Sequence, residues 1–266
     1  MRFEVVKIFI FWLFCCSGSG ALAAVSKQSA GTALPGDYPE KILFVGNSFT
    51  YYNNGLHKHY GDLLRAANLH EAGRNELRMM TYSGSGLWEH PAALRSALIN
   101  DPWDAVVMHD YSNGPIVQWK RFVSASDALS DIARSYGAVP ILMMTWAYAG
   151  RSEMTAELAK AYSDRGKALG AKVIPVGLAF AAAAESLAVN LYSADLLRFE
   201  AGVPVFDDTV KHPSVAGTYL AACTVYAALT GRNPEGLIYH GGLDPKVARD
   251  LQRVAFQTVR SYEHEQ

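Results

Sequence analysis

The sequence predicts a three-layer α/β/α fold around a five-stranded, mostly parallel sheet, and three observations predict it. Short apolar runs of strand length, each stopped by glycine or a polar cluster, alternate with longer segments of helical period. Hydrophobic residues make up 50% of the 266, and the formal net charge is -1, so the chain has enough apolar surface for one sizeable core and is not disordered. The segments directly after the apolar runs are polar and glycine-rich, as expected of ligand-facing loops at the carboxyl ends of an open parallel sheet.

Taken in order, Lys41-Ile42-Leu43-Phe44-Val45, stopped by Gly46, reads as the first buried strand, and a helix is expected over Leu56 to Ala67. The alternation continues with a strand near Leu77 to Thr81, a helix over Pro91 to Asn100 and a strand over Asp104 to Met108. A helix from Val123 to Tyr136, a strand from Val139 to Met144, a helix from Thr155 to Leu169 and a strand from Lys172 to Val176 complete the pattern. From about Ala179 the chain reads as largely helical. A loop is expected around Pro204 to His212, then helices over Val215 to Leu229, ended by Gly231, and from Pro245 to about Tyr262. Strands regularly separated by helices imply parallel pairing with both faces covered.

The first 23 residues are expected to lie outside this domain, which spans 24–266. Arg2 and Lys7 precede an uncharged run from Ile8 to Cys16, and small residues ending Ala21-Leu22-Ala23 follow, the layout of a secretory signal peptide cleaved after Ala23. The run is about half the roughly 20 residues of a spanning helix, so no stable membrane insertion is expected after cleavage. The bulk of Trp12-Leu13-Phe14 argues against lipidation at Cys15 or Cys16. An exported protein, periplasmic or secreted, follows as the expected localisation. Of 3 cysteines only Cys223 then remains, on the apolar stripe of a helix, so no internal disulfide is available. His57 and His59 are spaced to point to different faces of a helix and do not make a metal site. The balanced charge, without a Lys/Arg cluster, speaks against a nucleic-acid partner and directs attention to a pocket for a small-molecule or glycan substrate.

The loops after the strands carry the chemistry. Ser48 follows the first strand directly, and a serine hydroxyl needs a base to become a nucleophile. His212 is the candidate base, in a loop where Pro213 biases it away from helical geometry, and a carboxylate a few residues upstream would orient its imidazole. Candidate oxyanion donors are the Ser48 N–H, the N–H of Gly86 or Gly84, and the side-chain amide of Asn113. Each loop on its own also reads as a plain turn. It is their joint placement after successive strands that points to catalysis.

These residues resemble the four blocks of the GDSL or SGNH hydrolases. Gly46-Asn47-Ser48-Phe49 is similar to the first block, with Asn for the usual Asp and Phe for Leu; Gly84-Ser85-Gly86 corresponds to the glycine block; Tyr111-Ser112-Asn113-Gly114 keeps the Asn of the third; and His212-Pro213-Ser214 matches the last. The resemblance implies a flavodoxin-like SGNH fold and a serine esterase forming an acyl-enzyme on Ser48, with no metal or organic cofactor. It favours Gly86 as the glycine donor. The family's acid stands three residues before the His, where this chain has Thr209, so Asp208 is the expected acid and Asp207 the alternative, with a Ser48/His212 dyad if neither reaches. Family habit favours an O-acyl, including O-acetyl, carbohydrate ester. A lipid-directed esterase or acyltransferase with the same triad, and a non-catalytic carbohydrate-binding protein, are the alternatives. Trp146 and Tyr51 are the expected substrate contacts, joined more weakly by Tyr52, Asn53 and Asn54. His90 is read as either pocket floor or helix start, and His109 and Asp110 as supporting residues.

Overall fold

The computed structural model describes residues 37–265, so the expected signal segment lies outside the described residues. Strand β1 (Lys41–Gly46) is followed by a one-turn helix α1 (Ser48–Tyr51), helix α2 (Leu56–Ala66) and strand β2 (Glu76–Thr81). Then come α3 (Pro91–Asn100), β3 (Ala105–Met108), the short α4 (Gly114–Val117), α5 (Trp119–Ser135), β4 (Val139–Met143), α6 (Met154–Leu169), β5 (Lys172–Ile174) and α7 (Val176–Ser186). These first five strands form one parallel sheet in the order β2-β1-β3-β4-β5. The expected five-stranded sheet is therefore present, and every pairing in it is parallel.

Alternation along β1 shows why the run is apolar throughout. Ile42 and Phe44 point to one face and pack with Leu56, Tyr60, Leu63 and Leu64 of α2 and with Ala179, Phe180 and Ala183 of α7. Leu43 and Val45 point to the other, against Leu94 and Leu98 of α3, Phe122 and Leu129 of α5, and Leu158 and Tyr162 of α6. A strand covered on both sides has no position for a polar residue.

Helix α8 (Val215–Thr230) is buried continuously from Ala216 to Leu229, which makes it the central helix of its layer, and α9 (Pro245–Glu265) packs against it. At its start α8 also lies close against the segment before β6: a Cβ on Gly217 would stand 2.2 Å from the Leu191 carbonyl oxygen. Cys223 lies inside α8, and burial pushes its thiol pKa far up, as suits a small core hydrophobe.

One region departs from the sequence expectation. The stretch between α7 and α8, expected to be helical before a loop, contains strands: β6 (Tyr192–Ser193), β7 (Leu196–Glu200), β8 (Val203–Phe206) and β9 (His212–Pro213). β6 pairs with β9, and β7 with β8 as an antiparallel hairpin. The hairpin turn is Ala201-Gly202, with φ of 49° and 84°, the positive-φ pair that suits a two-residue hairpin. Leu196 pairs with Phe206 and Phe199 with Pro204 across the hairpin, and Leu196, Phe199, Val203 and Phe206 stay exposed outside the core.

The sheet register brings the strand ends together. Gly46 pairs with Thr81, Val45 with Met108, Met108 with Leu142 and Met143 with Ile174, so the following loops emerge along one edge. The connections reverse direction across β1 and β3, the switch point where open sheets form their crevice.

Candidate active site

At that switch point the chain leaves β1 through Gly46, where a Cβ would stand 2.2 Å from His109 Nε2. Glycine lets the imidazole lie against the strand end. His109 Nδ1 donates to the Asp110 carbonyl (3.0 Å), and its Nε2 accepts from the Thr50 hydroxyl (2.7 Å), bracing α1 from below. Burial pushes its pKa down to about 4, so it stays neutral and is a brace rather than a proton carrier.

Asn47 then ties three loops together. Its side-chain oxygen accepts from Phe49 N (3.2 Å), while its amide nitrogen donates to the carbonyls of Ser85 (2.8 Å) after β2 and Asp110 (3.2 Å) after β3. An aspartate here would face two carbonyls with no proton to give, which explains the Asn in this block.

Ser48 opens α1, and its Oγ lies 2.7 Å from His212 Nε2. His212 is fixed from several sides: β9 pairs with β6 through Ser193, the Trp146 indole N–H donates to the Lys211 carbonyl (3.0 Å), and the Asn53 amide donates to the Pro213 carbonyl (2.9 Å). The carboxylate against His212 Nδ1 is Asp195, 17 residues upstream at the foot of the β7–β8 hairpin. The hairpin neck is closed by Asp207 N donating to the Asp195 carbonyl (2.8 Å), so the excursion returns the chain beside its starting point.

This geometry corrects the expected acid. Asp207 accepts from Thr209 N (2.8 Å) in a local turn, and Asp208 is exposed; neither is the partner of His212. Nor does Gly86 offer a free N–H to the site. The Gly86 N–H donates to the Glu89 carboxylate (3.0 Å), and a Cβ on Gly86 would collide with the Trp88 ring, so that glycine serves packing. Gly84, at φ 68° on an open surface, instead lines the cavity with Ser48 and His212.

That cavity holds about 190 Å³, and the β3 loop contributes Tyr111 and Ser112 to its lining. Asn113 sits one residue further on, at the N-terminus of α4 and outside the lining. Trp146, expected to contact substrate, is fully buried and stacked between Phe49 (centroids 4.0 Å apart) and Phe180 (4.3 Å). It holds the backbone before His212 and presents no face to a sugar. Tyr51 is half-buried, and its hydroxyl donates to Ser83 Oγ (3.1 Å), beside the cavity. His90 is the N-cap residue of α3 and does not line the cavity, so of the two readings the helix start holds; it is buried with Nε2 3.0 Å from Ser85 Oγ, and burial lowers its pKa.

The site thus brings together Ser48, His212 and Gly84, and adds two residues that sequence reasoning did not put in these roles. Asp195 had no spacing signal. The hairpin that carries it did have one, since Ala201-Gly202 separates two apolar runs. Tyr52 was read as a substrate contact, and its hydroxyl instead donates to Asp195 Oδ1 (2.9 Å).

No protein-family model matches the chain, and no curated protein matches it by sequence. Solved structures do. A protein from Slackia heliotrinireducens described as "a putative SGNH hydrolase" is 29% identical, with a TM-score of 0.52 over 70% of this chain and 96% of its own. A DUF4886 family protein from Bacteroides uniformis, 20% identical, matches 83% of this chain and 94% of its own at a TM-score of 0.61. A catalytic mutant of an acetylxylan esterase from Geobacillus stearothermophilus, 16% identical, matches 73% of this chain and 95% of its own at 0.53. The fold is that of the SGNH hydrolases, the family the four sequence blocks resemble.

Proposed function

We propose that this SGNH-type hydrolase is an exported serine esterase that cleaves short O-acyl esters, O-acetyl carbohydrate esters included, through an acyl-enzyme on Ser48. One observation carries the reading: the Ser48 hydroxyl lies 2.7 Å from His212 Nε2, while Asp195 holds the other ring nitrogen, at the mouth of a cavity. His212 takes the Ser48 proton as Oγ attacks the acyl carbonyl, and the N–H groups of Ser48 and Gly84 are the donors available to the developing oxyanion. Collapse of the tetrahedral intermediate expels the alcohol, which receives the proton from His212. Water, deprotonated by the same imidazole, then attacks the acyl-enzyme and releases the acid and free Ser48.

The preference for a short acyl group rests on the cavity. Its roughly 190 Å³ is below the usual range for drug-sized ligands, and polar side chains of Asn47, Ser48, Ser83, Ser112, Lys211 and His212 share its lining with the rings of Phe49 and Tyr111. Carbohydrate as the alcohol part rests on family resemblance and on the likeness in fold to the acetylxylan esterase. Export rests on the N-terminal sequence pattern. Among the described residues no helix is long and apolar enough to cross a membrane.

A second reading, a lipid-directed esterase, gains support from the hairpin that starts next to Asp195. Leu196, Leu197, Phe199, Val203 and Phe206 are all exposed on it. Hydrolysis of nitrophenyl esters from acetyl to palmitoyl, by the protein and its Ser48→Ala variant, separates the two. We expect an optimum at acetyl and a loss of at least about 10³-fold in the variant. A long-chain optimum favours the lipid reading, and activity that survives in Ser48→Ala overturns the nucleophile.

A further inference from the structure

We infer that Tyr52 is a positioning residue for the catalytic His212, clamping the imidazole and its carboxylate partner into one unit. The inference rests on the serine-hydrolase reading of Ser48, His212 and Asp195. Its geometric basis is separate from the contacts that support that reading.

Tyr52 touches both members of the pair. Its hydroxyl donates to Asp195 Oδ1 (2.9 Å), while the other carboxylate oxygen, Oδ2, faces His212 Nδ1. Its ring lies flat on the imidazole, with centroids 4.2 Å apart and an interplanar angle of 10°. Phe49 meets the same imidazole at 80°, with centroids 6.1 Å apart. Rotation of the His212 ring is therefore blocked by the stacked phenol, and rotation of the Asp195 carboxylate by a hydrogen bond on each oxygen.

The position of the acid explains why such a clamp is needed. An acid a few residues before the histidine is held by the same tight loop, whereas Asp195 is 17 residues away at the foot of an exposed hairpin. Tyr52 directly follows α1, the turn that carries Ser48, and its N–H donates to the Ser48 carbonyl (3.1 Å). One residue thus links the nucleophile's turn to both the base and the acid. Burial, and after it the hydrogen bond to Asp195, push the phenol pKa up to about 12, so the proton it donates is retained through the working pH range. The stacked face also favours the imidazolium that forms when His212 takes the Ser48 proton.

Against the imidazole stand the Asp195 carboxylate, the Tyr52 ring and hydroxyl, and the Phe49 ring edge-on. Removing the hydroxyl in Tyr52→Phe keeps the stack and leaves Asp195 with one donor fewer. The carboxylate is then free to turn away from His212 Nδ1–H, and the imidazole loses the orientation that the hydroxyl fixed.

The test is a double-mutant cycle on nitrophenyl acetate hydrolysis with Tyr52→Phe, Asp195→Asn and the pair, with Ser48→Ala and thermal melting as controls. We expect Tyr52→Phe to lower kcat about 10-fold with KM little changed, and to have less than about 2-fold effect in the Asp195→Asn background. Tyr52→Leu, which also removes the stack, should lose more than Tyr52→Phe while melting as a folded protein. Equal effects of Tyr52→Phe in both backgrounds, or a loss that falls on KM rather than kcat, overturn the clamp. Activity that survives in Ser48→Ala instead overturns the serine-hydrolase reading on which the clamp rests.

Discussion

Ser48 and Asp195 stand on opposite sides of His212, and the chain holds them in opposite ways. Ser48 follows a strand buried on both faces, and its loop is knitted to the two neighbouring loops by the Asn47 amide and braced by the buried His109. Asp195 follows a two-residue strand and precedes a hairpin whose large side chains are half or more exposed, as with Phe199 at 64% and Val203 at 63%. The proposed nucleophile inherits its position from the core. The acid depends on a few polar contacts: the hairpin neck, the Tyr52 hydroxyl and His212 itself. On the proposed mechanism, the residue that approaches the substrate carbonyl is built into the rigid part, while the residue that orients the base is supplied from outside it.

The sharpest way to break this comparison is to exchange the candidates for the acid. Asp195→Asn should lower kcat for nitrophenyl acetate by about 10³-fold or more, because the amide favours the wrong imidazole tautomer and cannot stabilise the imidazolium. Asp208→Asn, on an exposed residue of the neighbouring turn, should leave kcat within about 2-fold of the parent. The reverse result would return the acid to the position expected from the sequence.

That contrast also accounts for what was legible in the sequence. The three central strands β1, β3 and β4 were readable because burial on both faces forces continuous apolar runs, the edge strand β2 by its place in the alternation with helices, and Ser48 because it follows β1. His212 was marked by Pro213 and by the helix beginning at Val215. Asp195 left no such mark, because its contact with His212 depends on a hairpin closing on itself rather than on spacing along the chain. Gly84 and Gly86 look alike in sequence. Their roles separate only when Trp88 and Glu89 are seen to occupy Gly86. Trp146 fell after a strand, where a ligand contact and a core residue have the same pattern. Phe49 and Phe180 on its two faces decide for the core.

A second prediction sharpens the nucleophile's side. His109 is fully buried and neutral, with its pKa lowered from 6.5 to about 4 by desolvation. The unfolded chain therefore takes up its proton first as pH falls. The contribution of this residue to stability is complete above pH 6.5 and is lost progressively down to pH 4, by about 3 kcal/mol in all. Urea unfolding of the parent and of His109→Gln across that range reads it out, and the parent should lose more stability than the variant. Parallel curves would show that the brace under α1 carries no protonation cost.

The smallest expected effect lies on the hairpin. Phe199 is 64% exposed on β7, four residues beyond Asp195 and away from the core, so Phe199→Ser removes little buried area and should change stability by less than about 0.5 kcal/mol. Acetyl ester hydrolysis should also be unchanged, since the neck contact between Asp207 N and the Asp195 carbonyl is backbone and survives the substitution. The informative comparison is with a long-chain ester presented in micelles. If the exposed apolar face of the hairpin engages such substrates, the palmitoyl rate falls in Phe199→Ser while the acetyl rate holds. If both rates hold, the hairpin serves only to carry Asp195 to His212, and its apolar side chains only to keep the two strands paired.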